Sequence, residues 1–167
     1  MRAALIATTA ALALSACATT QRVDAAADVH AFLLSVRNDD KASFERYVDR
    51  RALTAKLEMR IQTEAARSDG PRELKLVAAT LAGPAAQLIQ TTLVRPSVFR
   101  LVAANLGYTP DQPLPKTLDI AGGLRYVENG RVCAAKSKRG PCLLTFAREE
   151  DTWRLVSIDA PIKDLKL

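Results

Sequence analysis

The chain reads as an α+β protein, with a helical first half and then an antiparallel sheet of about four strands. Three observations predict this. Apolar residues recur at helical spacing as far as Leu106, with glycine and proline breaks between segments. After Thr117 the period changes to alternation. Asn129-Gly130 stands between two alternating runs, and that pair suits the tight turn whose twist matches its strands.

The chain begins with Met1-Arg2 and an apolar run from Ala3 to Leu14, with no further charge until Arg22. That run is shorter than the roughly 20 residues that cross a bilayer, and it has the flanking charge of a secretory signal. It closes on Leu14-Ser15-Ala16-Cys17, which resembles the lipobox of bacterial lipoprotein precursors. The resemblance implies removal of residues 1–16, a diacylglycerol (palmitate-type chains) on the Cys17 sulfur, and acylation of the new amino group. Several fatty chains make attachment durable where one holds only marginally. In Gram-negative lipoproteins a residue other than Asp after the Cys implies transfer to the outer membrane. Ala18 stands there, so the implied address is the cell envelope, at the outer membrane facing the periplasm. Residues 17–23 are then the lipidated Cys and a tether. Residues 24–167 are one domain, helical over 24–107 and strand-rich over 117–160.

A first helix is expected from Asp24 or Asp28, either of which can cap it, with Val29, Phe32, Leu33 and Val36 on its buried face. Asn38-Asp39-Asp40 ends it and caps a short second helix carrying Phe44, Tyr47 and Val48. Asp49 caps a third, with Leu53, Leu57 and Ile61 every four residues, and Ser68-Asp69-Gly70-Pro71 breaks it. Between Arg72 and Leu106, Gly83-Pro84 and Arg95-Pro96 predict three short helices, because proline fits a first turn and not a helix interior. The last carries Phe99, Val102, Ala103 and Leu106, with Gly107 as its stop. No run after the signal approaches a membrane span on this reading. Pro110, Pro113 and Pro115 make Tyr108 to Lys116 an extended crossing.

The strands follow: Leu124 to Glu128, Arg131 to Ala134, Cys142 to Arg148 and Trp153 to Ile158. A two-residue Asn129-Gly130 loop sets Tyr126 opposite Cys133. A second turn centred between Ser137 and Lys138 sets Cys133 opposite Cys142. Alternation puts Cys142, Leu144 and Phe146 on one face and Leu143, Thr145 and Ala147 on the other. A Glu150-Asp151 turn sets Trp153 opposite Arg148, which suggests a cation–π lid. In the oxidising compartment implied by the lipobox, Cys133 and Cys142 are expected to pair. Directly opposed β carbons lie close enough for that bond, which would be a staple, since the C-x-x-C spacing of redox thiols is missing.

Two stretches carry a second resemblance. Phe44-x-x-Tyr47-Val48-Asp49-x-x-Ala52-Leu53-x-x-x-Leu57 resembles a helix junction in a domain-of-unknown-function family of proteobacterial exported proteins, with Arg50-Arg51 where that family has an aromatic-proline pair. The segment from Phe146 through Trp153 and Ile158 to Pro161 is similar to the last hairpin of that family and of nuclear-transport-factor-like domains. The resemblance implies helices packed across a curved antiparallel sheet, a cone, and supplies no activity.

Composition narrows the partners. The net charge is +6 and aromatic residues are 5% of the chain. Basic residues are scattered from Arg50 to Lys166 without a run, so the interleaved bases and rings of a nucleic-acid surface are missing. The charge reads as a solvated basic surface, suited to anionic headgroups or envelope polymers. No catalytic motif stands in the chain. His30, the single histidine, has no sequence neighbours that complete a metal site or triad. Gly122-Gly123 is a bend, and Glu149-Glu150-Asp151 a solvated turn. No cofactor, metal or catalytic residue is therefore assigned. The expected role is a non-enzymatic, membrane-anchored module binding an envelope protein or lipid. The alternative is a small-ligand carrier or enzyme built on an apolar cone lined by Tyr126, Phe146, Trp153 and Asp159.

Overall fold

The computed structural model describes residues 2–105, 108–137 and 139–159, and an aromatic cluster organises them. All four phenylalanines of the chain meet in it. The Phe32 ring centroid lies 5.5 Å from Phe44, 5.6 Å from Phe99 and 5.8 Å from Phe146, and Phe44 lies 5.5 Å from Phe99. Three of these pairs are edge-to-face, an arrangement the ring quadrupoles favour. Around them the core adds Val29, Val36, Val48, Leu53, Leu124, Val132, Trp153 and Leu155.

Among the described residues, helices precede strands: α1 (Arg2–Asn38), α2 (Lys41–Arg46), α3 (Arg50–Arg67), α4 (Arg72–Leu93), α5 (Pro96–Asn105), α6 (Thr117–Gly123), then β1 (Leu124–Val127), β2 (Arg131–Ala135), β3 (Cys142–Glu149) and β4 (Thr152–Ile158). The class is α+β, as expected. The caps also fall where the side chains predict. Asp40 accepts from Ser43 N at 3.1 Å and Ser43 Oγ at 2.6 Å, and these bonds hold its carboxyl below the usual carboxylate value. Asp49 accepts from Ala52 N at 2.9 Å to start α3.

Three helical expectations change. Helix α1 starts at Arg2, not at Asp24 or Asp28, so residues 18–23 are helical; nothing from Arg2 to Asn38 is glycine or proline, and alanine-rich sequence favours continuation. Helix α4 runs through Pro84, giving two helices where three were expected. Proline removes one hydrogen bond, and Ala82 and Ala86 on either side are fully buried against α3, which holds the helix together. Residues 117–123 form α6 instead of leading into a strand, because Ile120 and Ala121 pack against α1. Leu106, Gly107, Lys138 and Pro161 lie outside the described residues.

The strands form an antiparallel meander in the order β1-β2-β3-β4. The first hairpin closes on Val127 opposite Arg131, so its loop holds Glu128, Asn129 and Gly130, and Tyr126 pairs with Val132 instead of Cys133. Asn129 and Gly130 take φ of 61° and 68°, the left-handed region that this residue pair tolerates. That one-residue slip sets Arg125 opposite Cys133. Cys133 in turn pairs with Thr145, and a bulge after Ala134 brings Cys142 opposite Ala135. Cys142 therefore leaves the Leu144–Phe146 face and joins Cys133 on the face away from α1.

On the helix side lie Leu124, Val132, Phe146, Leu155 and Trp153. Strand β4 is an edge, and the chain covers it. Leu155 N donates to Tyr47 O at 2.9 Å, Asp49 N donates to Leu155 O at 3.0 Å, and Val48 bridges Leu155 in parallel. Trp153 N donates to Asp28 Oδ2 at 2.8 Å and its indole Nε1 to Asp24 Oδ2 at 2.9 Å. Trp153 does face Arg148 across the hairpin. The guanidinium, however, reaches Asp24 at 3.0 Å, so an ion pair stands where a cation–π lid was expected.

Candidate interaction surface

Helices α3 and α4 form an antiparallel hairpin, and α4 packs mainly on α3. The inner face of α3 is Leu53, Leu57, Ile61 and Ala65, at four-residue spacing; Leu53 is buried and the others half-buried. Helix α4 answers with Ala78, Ala82, Ala86 and Gln90, also at four-residue spacing. Small side chains let the two backbones approach; a β carbon on Gly83 would lie 3.5 Å from Glu58.

The root of the hairpin is polar and charged. Arg50 pairs with Glu45 and donates from Nη2 to Val94 O at 3.0 Å, which satisfies a carbonyl at the end of α4. Glu149 stands beside Asp49, the α3 cap; the proton that the two carboxyls can share, partial burial and the Asp49 charge raise the Glu149 pKa, while Arg154 at 3.2 Å opposes the rise. Gln90 is 4% exposed, and its Nε2 finds no partner among the described residues.

The far side of α4 faces water and is apolar. Leu74 is 63% exposed, Leu81 55% and Leu88 68%, and Val77, Leu76, Ile89 and Leu93 are exposed as well. Leu74, Leu81 and Leu88 recur every seven residues, with Val77 and Pro84 three residues after the first two, so all five lie on one stripe. From Leu76 to Val94 the chain has 19 residues and no charge. By length and composition α4 is apolar enough to cross a membrane, contrary to the expectation that no second run would be. Exposed apolar patches of this extent are a common feature of interaction surfaces. Its seven-residue spacing was visible in the sequence, but the expected break at Pro84 divided it.

The residues expected to line a cone do not converge. Phe146 is in the aromatic core and Trp153, 2% exposed, is bonded to Asp24. Tyr126 is 41% exposed on the edge strand β1, and Asp159 accepts from Ser157 Oγ at 2.8 Å at the other edge. A separate groove of about 500 Å³ lies between α1, α5 and the proline-rich segment. Leu33, Val36, Leu101 and Leu114 line it, Arg37 and Arg100 join them, and among the described residues none of the lining is a carboxylate.

Cys133 and Cys142 are joined in a disulfide with Cα atoms 5.6 Å apart. Arg125 Nη2 lies 3.6 Å from one sulfur and 3.4 Å from the other. Cys17 lies in α1, and its side chain is outside the described residues. His30 is half-buried on α1, and among the described residues no cluster of three His, Cys, Asp or Glu side chains could hold a metal. Compared with protein families, curated proteins and solved structures, the chain matches none.

Proposed function

We propose that this is a lipid-anchored lipoprotein of the cell envelope, held at the outer membrane through Cys17, whose folded domain is a non-catalytic interaction module. Residues 1–16 are its signal peptide. The domain is nuclear-transport-factor-like, and the packing of α1 across one face of a four-stranded antiparallel sheet supports that assignment. The observation that carries the interaction role is the stripe of large apolar side chains that α4 leaves in water. Anchoring is tested by metabolic labelling with radioactive palmitate in a Gram-negative host. The full chain takes up label and the Cys17→Ser chain does not; an unlabelled full chain would defeat the reading.

A second reading, a small-ligand carrier, is favoured by the groove beside α5, whose volume of about 500 Å³ is that of a ligand site. A soluble form of the domain that turned over substrates in a broad hydrolase and isomerase screen would defeat the non-catalytic reading.

A further inference from the structure

We infer that the outer face of α4 lies on the bilayer to which the chain is anchored, its axis in the membrane plane, with Leu74, Val77, Leu81 and Leu88 in the acyl boundary. This rests on the lipid-anchor reading for where the membrane is, and on the structure for which face meets it.

The choice of a lipid surface follows from four observations. First, the uncharged stretch Leu76–Val94 is bracketed by exposed Arg72 and Arg95; between Arg72 and Leu76, Glu73 and Lys75 balance in charge, and Lys75 Nζ turns away to donate to Ala66 O on α3 at 3.3 Å. Cations at its ends reach headgroups while the middle sinks, and a net charge of +6, still positive once Arg2 leaves with the signal, favours anionic lipid. Second, α4 cannot cross the membrane. It is packed along α3, whose Arg50, Arg51, Lys56, Glu58, Arg60, Glu64 and Arg67 would have to follow it into hydrocarbon. A helix with one apolar side and a polar backing instead lies in the interface.

Third, the positions flanking the stripe are Thr80, Ala85, Gln87, Thr91 and Thr92. None of them is charged, whereas a partner helix takes its orientation and its mate from charged flanks; lipid needs no such charges. Fourth, the hairpin is rooted close to the anchor. Asp24 and Asp28 bind Trp153, and Asp49 and Tyr47 bind Leu155, two residues along β4, which is about 7 Å. Only residues 18–23 separate Cys17 from Asp24, and in the helix that they form the two positions are about 10 Å apart along the axis. Tethering at that range raises the effective concentration of the face at the bilayer and adds to the affinity of the face itself.

The test uses the chain from residue 18, which holds every core residue among those described, the first of them Ala25. It is mixed with vesicles of phosphatidylethanolamine and phosphatidylglycerol and floated on a density gradient. The wild-type domain floats. Leu81→Glu/Leu88→Glu, at exposed positions, keeps its circular dichroism and melting temperature but loses about 100-fold in partitioning, roughly tenfold for each leucine withdrawn. Equal flotation of both forms would overturn the inference. So would a wild-type domain that stays in the buffer, including one that sediments as a dimer that the double variant dissociates, which assigns the face to a second copy. Palmitate labelling of the full chain is read separately. An unlabelled chain whose domain still floats through α4 keeps the docking face and removes the anchor. A labelled chain whose domain stays in buffer does the reverse.

Discussion

Paired substitutions on α4 and in the core test whether the α4 stripe is unpartnered in the folded protein. Leu81 and Leu88 are each more than half exposed, whereas Phe32 is 1% exposed and touches three other rings. Full burial of a leucine stabilises by about 1.5–3 kcal/mol. The fraction these two bury amounts to about 1–2 kcal/mol together, part of which alanine returns through its higher helix propensity. Leu81→Ala/Leu88→Ala should therefore cost about 1 kcal/mol. Phe32→Ala opens a cavity at the centre of the cluster and should cost about 3–5 kcal/mol. In a domain of this size 1 kcal/mol moves the melting midpoint by roughly 3–4 °C, so the expected shifts are about 3 °C and about 10 °C or more. Urea unfolding of the residue 18–167 chain, followed by circular dichroism, measures both, with equal slopes required for the comparison. A double variant as unstable as Phe32→Ala would refute the reasoning, since it would mean that α4 is packed on both sides.

Three further outcomes are expected. Asp24→Ala removes the acceptor of the Trp153 indole and the partner of Arg148; it should cost about 1–2 kcal/mol and shift Trp153 fluorescence to the red, and an unchanged spectrum would count against the contact. Reducing the Cys133–Cys142 bond, which spans nine positions of sequence, should lower stability by about 2.5–3 kcal/mol if the restriction of the unfolded chain dominates; thiol titration of the unreduced, denatured domain should find both cysteines unreactive. Glu149 has a raised pKa in the folded state, so its favourable contribution is complete below the unfolded value and is lost as pH rises through the folded one. Glu149→Gln should thus raise the melting temperature slightly at pH 7 and leave it unchanged near pH 3; a gain at the acidic end alone would reverse the assignment.

Much of the fold was legible because local chemistry and packing agree. Asp40 and Asp49 cap the helices their sequence positions predict, and Asn129-Gly130 turns a hairpin. The failures have a common cause, which is that contacts distant in sequence decide between local options. Pro84 signals a break, yet alanines on α4 fit along α3 and carry the helix through it. The strand periods were right, but the loop at Glu128 takes one residue more than the minimum, which shifts every partner of β1. The disulfide survived that shift through the bulge after Ala134, a feature alternation alone does not encode. Trp153 and Phe146 were singled out as cavity walls; the volume they were to enclose is taken by Phe32, Phe44 and Phe99. The α4 surface was missed for a different reason. A leucine stripe normally means burial, and only the assembled structure leaves that side of the helix bare.

The docking of α4 beside the lipid anchor is tested most directly by environment-sensitive fluorophores on the anchored full chain. One is attached at Leu81→Cys on the outer face of α4 and the other at Lys56→Cys on α3, with the protein in its own membrane. A blue-shifted probe at position 81 that lipid-borne quenchers reach, beside a probe at position 56 that only aqueous quenchers reach, is the predicted result. Two probes equally exposed to water would contradict it.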